Sequence, residues 1–269
     1  MSSIIAYYIE NMASKEFIKE LFSKYGIRYR ESYGYSYREY KSVYEDSRVA
    51  IPYDEFVQFC RSKWQASPIE NYKKVLSSEK LRGHFWHNAM PSMLHYSLQN
   101  KVRESISNAT PIDVLIEIGR DIMKQEYFMV ATHDICESLI IKENDGVLPP
   151  TRSKSISDFV FGDIPYDLKV SKYPEDWRNA IPCESDDQKV ELVQNLVKRA
   201  DRLRIRKQAQ GSYNGWGANR FYIIVANQDR WINETDALLS EIMSKVASLR
   251  APMSVEVGGE TILVQMVEV

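Results

Sequence analysis

Residues 155–171, SISDFVFGDIPYDLKVS, contain two short apolar-alternating runs separated by Gly162-Asp163. Gly-Asp between two strand-like runs is typical of a β-hairpin with a two-residue loop. With these two residues as the loop, the register pairs Phe161 with Ile164, Val160 with Pro165, Phe159 with Tyr166 and Asp158 with Asp167. The stretch therefore predicts two antiparallel strands, although Pro165 cannot donate to their ladder and prefers an edge, a strand start or a bulge.

The predicted hairpin brings two carboxylates and one ammonium onto one face. Directly opposed side chains of an antiparallel pair lie on the same face, which places Asp158 beside Asp167. Lys169 lies two residues further along the second strand and shares this face. Opposed like charges are destabilising, and a divalent cation between them removes the conflict because hard cations such as Mg²⁺ bind carboxylate oxygens. The face is therefore a candidate magnesium site.

Asp158, followed after a spacer by Asp167-Leu168-Lys169, resembles the PD-(D/E)xK motif of the nuclease superfamily that includes many type II restriction endonucleases. The resemblance implies that Asp158 and Asp167 hold Mg²⁺ and that Lys169 assists the attacking water. Ser157 stands where the motif has Pro. The acid-x-Lys triplet also occurs at residues 39–41 and 187–189, so the strand setting and the partner Asp158 distinguish the Asp167 triplet.

Helices are predicted before the hairpin, one after Pro111 and a second from about Phe128, because apolar residues recur there at helical spacing. In the family that the hairpin motif resembles, a Glu from the preceding helix often completes the metal site. The resemblance implies Glu137 as this third ligand. Alternatives on the same stretch are Glu117, Glu126 and Glu143, and the simplest role for any of them is a solvated helix side chain.

The resemblance implies an α/β (α+β) fold, with a restriction-endonuclease-like core of a central mixed β-sheet flanked by helices and a mainly helical N-terminal region. Between about residues 111 and 226 the predicted order is helix, hairpin, helix and the buried strand Phe221–Ala226. This order agrees with the family's α-β-β-β-α-β core, except that its first strand has no clear place in the sequence. We expect residues 111–269 to form the nuclease core and residues 1–110 to help grip DNA.

The N-terminal part combines a helical pattern with an aromatic one. Residues 1–24 are predicted to form a helix, since Phe17, Ile18, Leu21 and Phe22 are spaced as one apolar face. Residues 25–44 are rich in Tyr, with Arg and Lys interleaved. Such a segment forms a nucleic-acid surface if its rings stack on bases and its cations meet phosphates. The alternative is a strand or loop whose tyrosines pack on the core with solvated charges between them.

The most basic stretch is residues 198–207, KRADRLRIRK, with six cations and one acid at the end of a predicted amphipathic helix. Cations near a helix C-terminus are favourable through the dipole, and a charged face is usually only solvated. Six cations exceed what the dipole requires, so we expect contacts with phosphates. The candidate DNA-binding residues are Lys198, Arg199, Arg202, Arg206 and Lys207.

The composition restricts the protein class. With 269 residues, 44% hydrophobic and 27% charged, the chain is typical of a soluble globular protein and not of a disordered one. A net charge of −2 gives no global attraction to nucleic acid, so DNA binding requires a local basic face. Three cysteines without a CxxC pair favour a reduced cytoplasmic protein. We find no signal peptide, no transmembrane run and no nucleotide-binding glycine loop.

These features predict a magnesium-dependent DNA endonuclease similar to a type II restriction enzyme, cutting double-stranded DNA at a specific site without a nucleotide cofactor. A homodimer is expected, since two-fold symmetry suits a palindromic target. One alternative is a repair, mobile-element or defence nuclease of the same superfamily. The other is a non-catalytic nucleic-acid-binding or interaction protein in which the Asp and Lys side chains form only a surface ion pair.

Overall fold

A computed structural model describes residues 2–30, 34–81, 112–152, 155–174, 177, 181–196, 219–257 and 260–269. Its first elements are helical: α1 Ser2–Asn11, α2 Lys15–Lys24, α3 Tyr37–Ser47, α4 Tyr53–Lys63, α5 Ile69–Leu76 and a 3₁₀ turn Glu79–Leu81. The later elements are α6 Ile112–Glu143, β1 Phe159–Phe161, β2 Ile164–Ser171, α7 at 186–196, β3 Asn219–Ile224, α8 Arg230–Asn233, α9 Thr235–Ala247, β4 Met253–Val257 and β5 Glu260–Glu268. The protein is therefore α+β, with helices flanking a sheet.

Two compact units make up the chain, and neither is contiguous in sequence. The first comprises Met1–Ala66, Ile140–Leu168 and Asn214–Arg220, and the second comprises Ser67–Leu139, Lys169–Tyr213 and Phe221–Val269. The boundary predicted between residues 110 and 111 lies outside the described residues. Within the described part of the chain, no helix has the length and apolar character needed to cross a membrane.

The five strands form one mixed sheet in the order β1-β2-β3-β5-β4. The outer pairs, β1 with β2 and β4 with β5, are antiparallel. Near the start of β3, the Asn219 side-chain amide donates to the Pro165 carbonyl of β2 at 3.1 Å. At the other end, the N–H of Val225 donates to the carbonyl of Ser171 at 2.9 Å. The contacts advance in the same direction along both strands, so β2 and β3 are parallel.

Strand β5 also runs parallel to β3. The N–H of Val269 donates to the Ile224 carbonyl, and the Val269 carbonyl accepts the N–H of Ala226. Val269 thus bonds to the residues on either side of Val225, and this is the hydrogen-bond pattern of parallel strands. The sheet therefore has three central parallel strands with an antiparallel strand at each side. The connection from β2 to β3 passes through α7, as a parallel pair requires a crossover.

The single helix predicted over residues 1–24 is wrong, because the structure has α1 and α2 with a break between them. Ser14 causes the break: its backbone is extended and its hydroxyl accepts the N–H of Phe17 at 3.1 Å. Serine is a favourable N-cap because it satisfies an amide that has no partner within the helix. Met12 and Ala13 are buried, so the apolar spacing continues through the break. The apolar periodicity alone therefore does not reveal where α1 ends.

The end of α1 fixes the segment that leads into β1. The Met12 carbonyl accepts the N–H groups of Thr151 and Arg152, both at 3.0 Å. The buried hydroxyl of Tyr8 donates to the Pro149 carbonyl at 2.6 Å. Carbonyls at a helix end need partners outside the helix, and here a segment about 140 residues later in the chain supplies them. The approach to β1 is therefore anchored on an N-terminal helix.

The tyrosine-rich segment packs on the core of the first unit. Tyr40 and Tyr44 are buried, and the rings of Tyr29, Tyr35 and Tyr40 lie 5.2–6.3 Å apart, centroid to centroid. Tyr25 and Tyr37 are partly buried against the same core. The packing of these tyrosines on the core is therefore confirmed for the described part of residues 25–44, whereas the predicted strand or loop is wrong for residues 37–44, which lie in α3.

The hairpin predicted around Gly162-Asp163 is present with three of its four predicted pairs. The fourth, Asp158 with Asp167, is wrong, because the N–H of Asp158 donates to the Tyr166 carbonyl at 2.8 Å and the pairing ends at Phe159. The paired positions are Phe159 with Tyr166, Val160 with Pro165 and Phe161 with Ile164. Gly162 has φ +57° and Asp163 has φ +61°. Positive φ at both loop residues is characteristic of the type I′ turn, whose twist matches that of the two strands.

We expect Gly162→Ala to destabilise the protein by about 1 kcal/mol, because a side chain with a Cβ is strained at positive φ. No heavy atom lies within 4 Å of the position that a Cβ would occupy, so the cost comes from the backbone alone. Gly162→Asn is the matched control, since Asn visits this conformation more readily. Urea unfolding followed by circular dichroism measures both. Equal losses for Ala and Asn would contradict the turn assignment.

Candidate functional site

Asp158 lies immediately before β1 and meets β2 through its side chain. Its backbone N–H donates to the Tyr166 carbonyl at 2.8 Å, and its Oδ2 accepts the N–H of Leu168 at 2.6 Å. The paired positions of the two strands end at Phe159 and Tyr166. Asp side chains compete with strand partners for backbone donors. The Asp158 carboxylate is therefore held on β2 itself, on the amide between Asp167 and Lys169.

Asp167 and Lys169 share one face of β2, as the sequence predicted. The burial of β2 alternates: Tyr166, Leu168 and Val170 are buried, whereas Asp167 and Lys169 are half-buried. Successive side chains of a strand point to opposite faces. The carboxylate of Asp167 and the ammonium of Lys169 consequently stand two residues apart on the less buried face of the strand.

Arg220 is the residue of this site that the sequence analysis missed. It lies in β3 next to β2, and its Nη1 is 2.8 Å from Oδ2 of Asp167. Each side chain is about one-fifth exposed, at 21%. The only signal in the sequence was the cation directly before the buried run Phe221–Ala226. Connecting that cation with Asp167 requires the parallel register of β2 and β3, which no motif encodes.

The electrostatics of the hairpin therefore differ from the expectation. The prediction relied on a cation to reconcile two opposed aspartates. In the structure, the Arg220 guanidinium already compensates the charge of Asp167, and a backbone amide binds the carboxylate of Asp158. An ionised carboxylate has about four acceptor positions on its two oxygens, so neither contact is incompatible with a metal ion as an additional partner.

Glu137, the candidate third ligand, belongs to a cluster on α6 with His133 and Asp134. Nδ1 of His133 lies 3.1 Å from Asp134 Oδ1 and 3.7 Å from Glu137 Oε2. The potential ligand atoms of the three residues all lie within 4.8 Å of one another. All three are half-buried, and the hydroxyl of Tyr72 donates to the other Asp134 oxygen at 2.9 Å. The described residues thus contain a His–carboxylate group that can hold a metal ion.

Tyr72 positions this cluster through its hydrogen bond to Asp134. Burial raises the pKa of its hydroxyl, and the hydrogen bond to Asp134 raises that pKa further. The phenol consequently stays protonated and acts as a donor to the carboxylate. Glu117 and Glu143, two of the alternatives to Glu137, are exposed on the same helix. The side chain of Glu126 is outside the described part of the structure.

The candidate DNA-binding residues Lys198, Arg199, Arg202, Arg206 and Lys207 lie outside the described residues, so their phosphate contacts stay a prediction. The start of their helix is described. Ser185 accepts the N–H of Gln188 through its hydroxyl at 3.3 Å and the N–H of Lys189 through its carbonyl at 3.1 Å. Ser185 therefore caps the helix.

Comparisons of this chain with protein-family models, with curated proteins and with solved structures find no match. The functional argument consequently depends on the geometry of the chain's own residues.

Replacing Asp158 tests whether its carboxylate holds the hairpin. Asp158→Ala leaves the Leu168 N–H without this acceptor, and a hydrogen bond to a charged group contributes about 1.5 kcal/mol or more. Asp158→Asn keeps an oxygen that accepts the same bond, so its loss of stability should be less than half as large. Urea unfolding of both variants measures the difference. If Ala costs nothing, or Asn costs as much as Ala, the proposed hydrogen bond does not support the hairpin.

Proposed function

We propose that this protein is a magnesium-dependent DNA endonuclease of the PD-(D/E)xK type. The observation that carries the proposal is the attachment of the Asp158 carboxylate to the N–H of Leu168, between Asp167 and Lys169. This hydrogen bond holds the first acidic residue of the motif against β2, at the residue that directly follows the second. The lysine of the motif follows directly on the same strand face as Asp167.

The order of the elements supports the proposal. The family's α-β-β-β-α-β core corresponds to α6, β1, β2, α7 and β3, together with a first strand that the sequence did not place. Leu148 offers a counterpart for that strand, since its N–H and carbonyl exchange hydrogen bonds with Val160 of β1, both at 3.0 Å in an antiparallel bridge. The parallel pairing of β2 and β3 around α7 is the arrangement that a helix crossover requires.

The donor set at the hairpin fits a hard divalent cation. Asp158 and Asp167 provide carboxylate oxygens, which Mg²⁺ prefers and which usually bind it together with several waters. Glu137 is proposed as a third carboxylate by the family resemblance. When bound, the ion lowers the pKa of a coordinated water and stabilises negative charge on the scissile phosphate.

The chain's own residues supply the remaining chemistry. Lys169 donates hydrogen bonds to the attacking water and offsets the negative charge that develops on the phosphate. The oxygen of the water bonds to phosphorus as the water gives a proton to solvent. The bond from phosphorus to the 3′ oxygen breaks, and the 3′ oxygen takes a proton from solvent. The products by the family resemblance are a 5′-phosphate and a 3′-hydroxyl. Asp158 and Asp167 would hold the ion against the scissile phosphate.

The substrate in this proposal is double-stranded DNA, and residues 198–207 contact its phosphates. Site-specific cleavage by a homodimer, as in type II restriction enzymes, is the more detailed form of the proposal. A repair, mobile-element or defence nuclease is the related alternative. Discrete fragments from plasmid DNA support the restriction enzyme, whereas cleavage at branches or ends supports the alternative.

One observation favours a second candidate from another class. The ion pair between Asp167 and Arg220 compensates the Asp167 charge without a metal ion. A non-catalytic nucleic-acid-binding protein would use the pair only to join β2 to β3. Such a protein would bind DNA equally well with and without Mg²⁺ and would leave plasmid intact.

We expect Asp167→Asn and Lys169→Met to reduce magnesium-dependent cleavage at least about 100-fold, because each removes a group that acts on the reacting atoms. The assay is conversion of supercoiled plasmid to nicked and linear forms with Mg²⁺ or with excess chelator. DNA binding, measured by gel mobility shift, should change much less.

The matched controls come from another acid-x-Lys triplet in the described part of the chain, at residues 187–189. Asp187 is exposed on α7, and Lys189 is paired with Asp186 at 3.5 Å. Asp187→Asn and Lys189→Met should leave cleavage unchanged. Retained cleavage in Asp167→Asn and Lys169→Met, or no cleavage by the wild-type protein with Mg²⁺, contradicts the proposed function.

A further inference from the structure

We propose that Arg220 couples cation binding at Asp167 to DNA binding. In the free protein its guanidinium holds the Asp167 carboxylate and weakens cation binding there. When DNA enters, the guanidinium moves to a backbone phosphate and Asp167 becomes available to the cation. This inference rests on the proposed function, and it adds a positioning residue that regulates the same site.

The contact geometry places Arg220 in direct competition with a cation. Its Nη1 is 2.8 Å from Asp167 Oδ2, a short distance of the kind that charge-assisted hydrogen bonds have. Both side chains are 21% exposed, so solvent and salt screen the pair less than a fully exposed one. A positive charge this close lowers the electrostatic attraction of Asp167 for a second positive charge.

The backbone around Arg220 holds this arrangement firmly. Asn219, the preceding residue, donates its side-chain amide to the Pro165 carbonyl of β2. Beyond it, residues 221–224 of β3 are buried. Because the start of β3 is fixed against β2, the side chain of Arg220 is the part that can change its partner. A phosphate presented at the half-buried face of β2 lies within the range of a long arginine side chain.

Arginine suits an exchange between these two anions. Its planar guanidinium binds both carboxylates and phosphates, and it remains charged in either contact. A phosphate therefore replaces the carboxylate as the partner without leaving the arginine unpaired. Because linkage is reciprocal, DNA raises the affinity for the cation by the same factor by which the cation raises the affinity for DNA.

Calcium titrations by calorimetry test the coupling, since Ca²⁺ is also a hard cation that binds carboxylate oxygens. The full chain is titrated with and without a short DNA duplex. For the wild type we expect roughly tenfold tighter Ca²⁺ binding with DNA, within the usual range of coupling between sites. Arg220→Met should bind Ca²⁺ more tightly than the wild type without DNA, and DNA should then add little.

Two further variants make the outcome specific to the charge of Arg220. Arg220→Gln keeps a donor for Asp167 without the positive charge, so it should show the same gain as Arg220→Met and replaces that variant if it fails to fold. Arg230 is the control, because its Nη2 makes a 2.8 Å contact with Glu241 on another element and its side chain is 22% exposed. Arg230→Met should behave as the wild type does.

Unchanged or weaker Ca²⁺ binding by Arg220→Met and Arg220→Gln would overturn the coupling, because Arg220 would then only hold the carboxylate in place. Equal Ca²⁺ affinity with and without DNA in the wild type would overturn it as well. Asp167→Asn identifies a different failure. If that variant binds Ca²⁺ as the wild type does, the cation does not use Asp167, and the proposed function itself is overturned.

Discussion

The hydrogen bond from the Leu168 N–H to the Asp158 carboxylate determines the arrangement of the hairpin face. An ordinary ladder would have satisfied this amide with a carbonyl of the first strand. A carboxylate in that position ends the pairing of β1 and β2 and places a negative charge on the β2 backbone. The same contact thus defines the end of the hairpin and holds the first acidic residue at the backbone amide that follows the second.

A second constraint is the parallel pairing of β2 with β3. It places the Arg220 guanidinium beside Asp167 and so adds a second positive charge to that of Lys169. A half-buried carboxylate with an arginine partner is stable without a metal ion. In the proposed function the arginine and the ion share one carboxylate, so the affinity of the site for metal would depend on which anion the arginine contacts. The contact between Arg220 and Asp167 thus joins β2 to β3 and also involves a carboxylate of the proposed metal site.

The sequence predicted local features well and distant ones poorly. Gly162-Asp163 specified the loop, and the two-residue loop specified the three pairs nearest to it. It did not reveal that the Asp158 carboxylate ends the pairing before Asp167. The pair between Arg220 and Asp167 joins residues on either side of a long crossover, and no local pattern specifies which residues meet there. The break at Ser14 escaped detection for a different reason. Burial of Met12 and Ala13 preserved the apolar periodicity across it, and the capping serine was the only local sign.

The anchoring of the approach to β1 on α1 has a consequence for synthesis of the chain. The Tyr8 hydroxyl and the Met12 carbonyl find their partners at Pro149, Thr151 and Arg152. Contacts between residues so distant in sequence form late, since a long loop must first close. The first unit consequently cannot complete its core while the ribosome is still adding the residues of α6. The ion pair between Asp167 and Arg220 forms only after Arg220 has been synthesised. Nascent chains that end before Pro149 leave the end of α1 without its native partners.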